Sequence, residues 1–197
     1  MPTADPLDDL THDLALHAND ELCPRALVVA QGRVHTPTAW PAGMPRRSTG
    51  GRPFRNALRV ARASAGALAY AEGFAVREEG VVHHAWCVDA AAAALDPTWA
   101  DGNGLGYIGV TLDWQWVEAV RRRTGTRTAF PGVLDTHTQH TRDADRILTY
   151  GIPPTALLLV GAPARALTSL SSPSRRARCG NASREEAGAA PKDRAGD

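Results

Sequence analysis

The sequence predicts an α+β fold in which a helix packs against an antiparallel sheet. A segment that begins at Pro53 carries small apolar residues at helical spacing, and segments 71–80, 81–89 and 106–112 have the composition of strands. At 197 residues the chain is long enough for one domain with a hydrophobic core. We expect about four or five strands, which is the usual size of a sheet.

The N-terminal part of the chain predicts a helix, a strand and an irregular connection. Leu7, Leu10 and Leu14 recur at helical spacing, which indicates a short amphipathic helix within an N-terminal extension of residues 1–25. Residues 26–34 favour a strand. The stretch that follows is rich in Pro, Gly, Ser and Thr, which is typical of an irregular segment.

The helix next to the sheet is predicted over residues 54–70. Pro53 suits its first position, because the N–H that proline lacks would be unpaired there in any case. Ala57, Ala61 and Leu68 belong to an apolar face made mostly of small residues. Such a face can approach a sheet closely.

The segment 81–89 is predicted to be a central strand. Successive side chains of a strand point to opposite faces, so His84 and Trp86 share one face while His83 and Cys87 share the other. Both faces are largely apolar. The preceding strand is expected to end at Gly80, where the alternating pattern stops.

The C-terminal half predicts one more strand and two helices. The segment 106–112 is followed by a helix that closes with three arginines and begins with Thr111 or Asp113 as its N-cap. A second helix is expected over residues 139–150, stopped by Gly151.

The ordered domain is therefore expected to span residues 26–160. From residue 171 onward large apolar side chains are almost absent, which predicts a disordered tail over 171–197.

Composition narrows the class of protein. The net charge of +1 gives no global field that would attract nucleic acid, and no apolar run is long enough to span a membrane. The N-terminal residues do not have the composition of a signal sequence, so we expect a cytoplasmic protein. The positive charge is nearly all arginine and alanine is abundant, a bias that indicates a bacterial or phage genome. The sequence gives no indication of the oligomeric state.

His84 and Asp96 are candidates for an acid/base pair. They lie on neighbouring apolar segments, and a catalytic histidine and its orienting carboxylate are usually mounted in this way. Asp96 precedes Pro97, which disfavours helical geometry and predicts a strand end. Two purely structural alternatives remain open. His84 could be a core histidine that donates to a backbone carbonyl, and Asp96 could only initiate a turn.

Two further clusters have functional and structural interpretations. Asp135, His137, His140 and Asp143 could bind zinc, but short His/Asp tracts are usually solvated, and we predict neither a metal nor a cofactor. The arginine run 121–123 complements the negative end of a helix dipole. Phosphate binding by this run is the weaker alternative.

Five short strings in order resemble a family of small bacterial and phage proteins with the pattern C-[FY]-x-N-A, E-G-[YF]-A, H-A-W-x-V-D, D-P-T and Y-[FI]-G-[VI]. The matching strings in this chain are FRNA from Phe54, AEGFA from Ala71, HAWCVD from His84, DPTW from Asp96 and YIGV from Tyr107. The resemblance covers roughly residues 30–135. That family in turn resembles papain/transglutaminase-like hydrolases, in which a cysteine begins a helix and a histidine and an aspartate follow on later strands.

The resemblance implies that His84 is the base and Asp96 its orienter, with Asn56 and Trp86 as supporting residues. It also places Pro53 at the position of the family's nucleophilic cysteine, where proline supplies no nucleophile.

The other candidate nucleophiles have no clear path to the histidine. Strand parity turns Cys87 away from His84, and Cys23 and Cys179 lie in the N-terminal region and the tail. Three cysteines at wide spacings form no disulfide framework or paired metal site. Ser48 and Thr49 precede the helix, but nothing in the sequence activates them.

Three functional hypotheses follow from the sequence. The first is a degenerate papain/transglutaminase-like protein that binds a peptide, amide or acyl-type ligand near His84. The second is an active hydrolase or acyl/amide transferase that uses His84 and Asp96 with a water or an unrecognised nucleophile. The third is a small interaction module of mobile-element origin.

Overall fold

The fold is α+β, with a mixed sheet surrounded by helices. The computed structural model describes residues 5–16, 23–45, 47–48, 50–123, 130–134 and 142–164. The helices are α1 (Pro6–Leu16), α2 (Pro24–Gln31), α3 (Pro53–Ala63), α4 (Trp114–Arg123) and α5 (Arg142–Tyr150). The strands are β1 (Arg33–Pro37), β2 (Ala69–Arg77), β3 (Gly80–Val88), β4 (Ala93–Leu95), β5 (Gly106–Leu112) and β6 (Ala162–Pro163).

The sheet closes on itself. Its strand order is β4-β3-β2-β5-β1-β6, and β4 also pairs with β1, so β1 to β5 form a barrel. The β1–β4 pair is parallel, with Thr36 opposite Ala93. The sequence predicts an antiparallel sheet of about four or five strands. The structure differs in two respects: a sixth short strand joins the sheet, and one parallel pair closes the barrel. Strands that follow each other in the chain suggest antiparallel hairpins, whereas the parallel pairing of β1 with β4 joins segments that are far apart in sequence.

Small residues line the barrel interior because large aromatic rings must fit there. Gly73 lies opposite Gly109, and a Cβ atom added to Gly73 would come within 2.4 Å of the Gly109 backbone. A Cβ atom added to Gly109 would lie 2.6 Å from the Trp86 ring. Trp86 and Tyr107 are fully or almost fully buried and belong to a cluster separate from the main core. The interior is thus a second, aromatic core.

The outer face of the barrel packs against the helices. Alternate residues of β3, among them Cys87, face outward and join the main core, to which α3 contributes Ala57 and Ala61. Leu10 and Leu14 of α1 are completely or almost completely buried in the same core. The first helix is therefore part of the packed domain and does not form a separate extension.

The strand predicted over residues 26–34 is wrong. Residues 24–31 form α2, which has proline at its first turn and buries Leu27 and Val28. An apolar run this short is compatible with a strand or with a helix. In the structure it forms a helix that packs against β5. The expected domain boundary between residues 25 and 26 falls inside this helix.

Helix α3 is shorter than predicted. It begins at Pro53 as expected but ends at Ala63, where a turn contains Ala65 and Gly66 with φ of +52° and +93°. Helical φ is negative, so these two residues end the helix. The Ser64 hydroxyl accepts from the Leu68 N–H at 3.0 Å and stabilises the turn into β2.

Several elements match the prediction. The strand over Gly106–Leu112 is confirmed, and Asp113 caps α4 by accepting from the Gln115 N–H at 2.6 Å. Helix α5 ends before Gly151, whose φ is +80°. The start of that predicted helix and the predicted tail lie outside the described residues. No helix in the described part of the chain is long and apolar enough to cross a membrane.

Candidate functional site

His84 and Asp96 meet inside the barrel. His84 lies on the inner face of β3, opposite Gly73, and Asp96 follows directly after β4. Nε2 of His84 is 2.7 Å from Oδ2 of Asp96, and their side chains are 2% and 8% exposed. The structure therefore brings the two predicted partners together on the same side of the sheet.

The carboxylate of Asp96 serves both the histidine and a turn. Its Oδ1 accepts from the backbone N–H groups of Thr98 at 2.7 Å and Trp99 at 3.0 Å. Its Oδ2 also accepts from the Tyr107 hydroxyl at 3.0 Å. Burial raises the pKa of Asp96, but the bonds from His84 and from the turn outweigh it and leave the pKa below its ordinary value. The carboxylate is therefore ionised at neutral pH.

Aromatic rings cover the imidazole of His84. The Trp99 ring stacks on it at a centroid distance of 3.6 Å and an angle of 12°, and the Trp86 ring lies nearly parallel at 6.5 Å. The Arg77 guanidinium lies 5.0 Å from the centroid of Trp99, on which it makes a cation–π contact. His84 as a whole is 1% exposed. A substrate atom could reach this imidazole only if Trp99 moved.

The helix that begins at Pro53 packs on the other face of β3. Its Phe54 ring lies 4.8 Å from the ring of His83, and the Cys87 thiol donates to the carbonyl of Ala57 at 3.4 Å. His83 and Cys87 point outward, whereas the His84 ring points inward. The nucleophile position and the His84 ring thus lie on different sides of the strand.

Asn56 links the first turn of α3 to the Asp96 turn. Its Nδ2 donates to Thr98 Oγ1 at 3.1 Å and to the carbonyl of Gly50 at 3.2 Å. Thr98 in turn donates its N–H to Asp96. Asn56 is therefore placed to hold the turn that carries Asp96.

None of the candidate nucleophiles in the described residues is placed against His84. Cys87 is fully buried on the outer face, and burial raises the pKa of its thiol well above the ordinary range. Cys23 precedes the first turn of α2, makes no side-chain capping hydrogen bond there and is partly exposed. Ser48 binds the carbonyl of Pro97 through its backbone N–H. Thr49 and Cys179 lie outside the described residues.

Sequence reasoning missed two further polar residues of the barrel interior. His35 on β1 accepts from the indole N–H of Trp86 at 3.3 Å and lies 3.0 Å from Thr111 Oγ1. Burial lowers the pKa of His35 to about 4. Tyr107 on β5 was also missed. His35 lies opposite Tyr107 because β1 and β5 are neighbouring strands of the barrel, and the local sequence pattern does not contain that pairing.

Glu72 was also missed as an organising residue. It is completely buried and accepts from the backbone N–H groups of Val133 at 2.8 Å and Leu134 at 2.7 Å. The Tyr70 hydroxyl donates to it at 2.7 Å, and the His83 ring nitrogen lies 3.2 Å away. The sequence indicated a strand start here, but Glu72 lies within β2 and fixes a distant segment to the barrel.

A cavity opens beside the Asp96 turn. Its volume is about 320 Å³, and its walls include Thr38, Arg47, Ala94, Asp96, Asp101 and Tyr107. The Arg47 guanidinium is paired with the Asp101 carboxylate and donates to the carbonyl of Asp96 at 2.9 Å. The cavity therefore borders Asp96, the residue that holds His84.

The described residues contain no group of three or more His, Cys, Asp or Glu side chains that could hold a metal ion. The predicted alternative at residues 135–140 lies outside them, and the placement of the Asp143 side chain is not described.

Comparison with known proteins gave no match: no family model, curated protein or solved structure is significantly similar to this chain.

Proposed function

We propose that this protein is a ligand-binding relative of papain/transglutaminase-like proteins that has lost thiol catalysis. The observation that carries the proposal is the buried His84–Asp96 pair, which is covered by Trp99 and which no cysteine or serine of the described residues contacts. Pro53 supplies no thiol at the position that the resemblance assigns to one. What remains is an acid/base pair that organises a binding site.

The proposed ligand is a peptide, amide or acyl-type compound in the cavity beside Asp96. A cavity of about 320 Å³ has the size of a small-molecule site. The Arg47–Asp101 pair at its wall offers both a donor and an acceptor, as an amide group requires. The cavity lies against Asp96 and Tyr107, so ligand contacts would be transmitted to His84 through existing hydrogen bonds.

Binding is tested with a dipeptide mimic, N-acetylalanine N-methylamide, by NMR chemical-shift perturbation on the full chain. Thr38→Trp should fill the cavity and abolish the shifts, because Thr38 is exposed and lines it. Thr36→Trp is the matched control, since Thr36 is also exposed on the same segment but does not line the cavity. Shifts that persist in Thr38→Trp would contradict the assignment of the cavity.

Loss of the nucleophile is tested separately by Pro53→Cys labelling with iodoacetamide. A thiol at a helix N-terminus is activated by the dipole alone, so the informative quantity is the dependence on histidine. The start of α3 lies on the outer face of β3, where Phe54 contacts the His83 ring. We therefore expect any gain in rate over the wild-type thiols to be unchanged in Pro53→Cys/His84→Gln. A gain that is lost in Pro53→Cys/His84→Gln would show that the inner pair can still activate a thiol at this position, and would contradict the loss of thiol catalysis.

An active hydrolase or acyl/amide transferase is the alternative function. The 2.7 Å His84–Asp96 bond favours it, because this arrangement can polarise the imidazole for activation of water. The wild-type chain would then hydrolyse an activated ester such as p-nitrophenyl acetate, and His84→Gln would abolish the turnover. Turnover that is equal in the two proteins excludes a role for this pair.

A further inference from the structure

A second cavity lies between α3 and α4, away from the His84–Asp96 pair. Its volume is about 290 Å³. The polar and aromatic residues of its wall are Arg55, Arg59, Arg62, Glu118, Arg121 and Phe130. Four guanidinium groups thus share one cavity with one carboxylate.

The arginines of α3 form one exposed row. Residues 55, 59 and 62 recur at the spacing that places side chains on one helix face, and all three are exposed. The opposite face of the same helix is buried in the core. No carboxylate of the described residues forms an ion pair with any of the three. Their positive charge is therefore not neutralised within this part of the protein.

The single carboxylate of the cavity is already bound. Arg121 donates to Glu118 through Nε at 2.8 Å and a terminal nitrogen at 2.6 Å, and Arg122 donates to it at 3.2 Å. The hydrogen bond from Arg121, followed by that from Arg122, lowers the pKa of Glu118 to about 2. Glu118 is therefore an anion held by its own helix, and it does not serve as the counter-ion of the α3 row.

We infer that this cavity binds the phosphoryl group of a small phosphorylated molecule. The planar fork of arginine matches phosphate oxygens in pairs, and several convergent guanidiniums are the usual means of holding a dianion. Phe130, which is buried in the core, closes one wall of the cavity with an apolar surface. The site is independent of the function proposed for the barrel.

The dimensions favour a small molecule over a polymer. A groove for nucleic acid extends along several phosphates, whereas these arginines line one concave space of about 290 Å³. The net charge of the whole chain is +1, so long-range attraction of a polyanion is weak. A polymer is the competing outcome of the experiment below.

The experiment titrates the full chain with adenosine 5′-monophosphate, adenosine and inorganic phosphate by isothermal calorimetry. We expect the monophosphate to bind, adenosine to bind at least tenfold more weakly, and phosphate to compete. Arg59→Gln and Arg55→Gln/Arg62→Gln should each weaken binding at least tenfold, in line with the loss of charge-assisted hydrogen bonds. All three side chains are exposed, so circular dichroism should show an unchanged fold.

Arg146→Gln is the matched control, because it removes the same charge from another exposed helical arginine that lines a different cavity. If Arg146→Gln weakened binding of the monophosphate as much as Arg59→Gln does, the effect would reflect net charge alone and the inference would be overturned. Acetate that competes as well as phosphate would also overturn it. Tighter binding of a single-stranded oligodeoxynucleotide, with a steep dependence on salt, would assign the surface to nucleic acid instead.

Discussion

The indole N–H of Trp86 donates to Nδ1 of His35 across the inside of the barrel, at 3.3 Å. An accepting ring nitrogen carries no proton, so the proton of the neutral imidazole lies on Nε2. That nitrogen is 3.3 Å from the carbonyl of Val160, to which it can donate. The barrel interior thus contains a histidine whose neutral form fits its partners and whose protonated form does not.

Acid should destabilise the protein through His35. Its pKa of about 4 in the folded state lies below the ordinary 6.5, so the unfolded chain binds the extra proton first as pH falls. The stability is present above pH 6.5 and is lost between pH 6.5 and about 4, by about 3 kcal/mol in total. Urea unfolding of wild type and His35→Gln across this range should show a flatter profile for the variant. Parallel profiles would refute the assignment.

Asp96→Asn should destabilise the folded state by about 2–4 kcal/mol. The amide nitrogen would replace one carboxylate oxygen, and the buried donors that bind this oxygen would lose their acceptor. Since the pKa of Asp96 is lowered in the folded state, its contribution is present at neutral pH and is lost as pH falls below the ordinary aspartate range. Denaturant unfolding at neutral pH measures the loss. Asp101→Asn is the exposed control and should change stability little. Equal midpoints for Asp96→Asn and wild type would contradict the role of the pair.

Gly109→Ala should be poorly tolerated, because the new Cβ atom would lie 2.5 Å from the Glu72 carbonyl oxygen and 2.6 Å from Trp86. Overpacking of this kind costs about 1–3 kcal/mol or more. Gly51→Ala is the control, since nothing lies within 4 Å of its Cβ position. Thermal unfolding of the two variants should separate them clearly. A Gly109→Ala protein as stable as Gly51→Ala would show that the interior is looser than described.

The Cys87 thiol should not react in the folded protein. It is completely buried, and both its burial and its raised pKa suppress the thiolate. In a Cys23→Ser/Cys179→Ser background, Cys87 is the only thiol, and its labelling by an aromatic disulfide reagent can be followed by absorbance. We expect labelling only at the rate of unfolding, and a steep increase with denaturant. Rapid labelling under native conditions would place Cys87 at the surface.

Glu72→Gln should release the segment that contains Val133 and Leu134. The carboxylate accepts both backbone N–H groups, and an amide can accept with only one of its two polar atoms. Hydrogen exchange at these two amides should accelerate at least tenfold, with a loss of about 2–4 kcal/mol in global stability. Glu79→Gln, in an exposed pair with Arg77, should leave both amides protected. Unchanged exchange in Glu72→Gln would mean that other contacts hold the segment.

The sequence predicts elements that depend on local chemistry. The cap at Asp113 and the strand over Gly106–Leu112 follow from residue preference and alternation, and both are present. The pairing of His84 with Asp96 was implied by the family resemblance, with a local turn role for Asp96 as the open alternative. The two side chains do meet, and Asp96 also holds the turn. Whether that pair acts on a ligand stays a prediction.

The features that the sequence did not predict depend on contacts between residues far apart in the chain. Residues 26–34 were assigned to a strand, whereas packing against β5 makes most of them helical. Tyr107 and His35 approach the site only because β5 pairs with both β2 and β1. A single sequence does not encode these registers in any local pattern, so neither residue could be placed beside the pair in advance.

The closure of the barrel determines how the chain can acquire its structure. Arg33 lies opposite Gly109 and also opposite Pro163, so β1 finds its neighbours only after long loops have closed. The entropy lost in closing such loops makes pairings of this kind slow to form. The β2–β3 hairpin can form early from residues that are close in sequence. Strand β1 can pair only after β4 and β5 are available. During synthesis, the aromatic interior should therefore stay open to water until β5, which ends at Leu112, has left the ribosome.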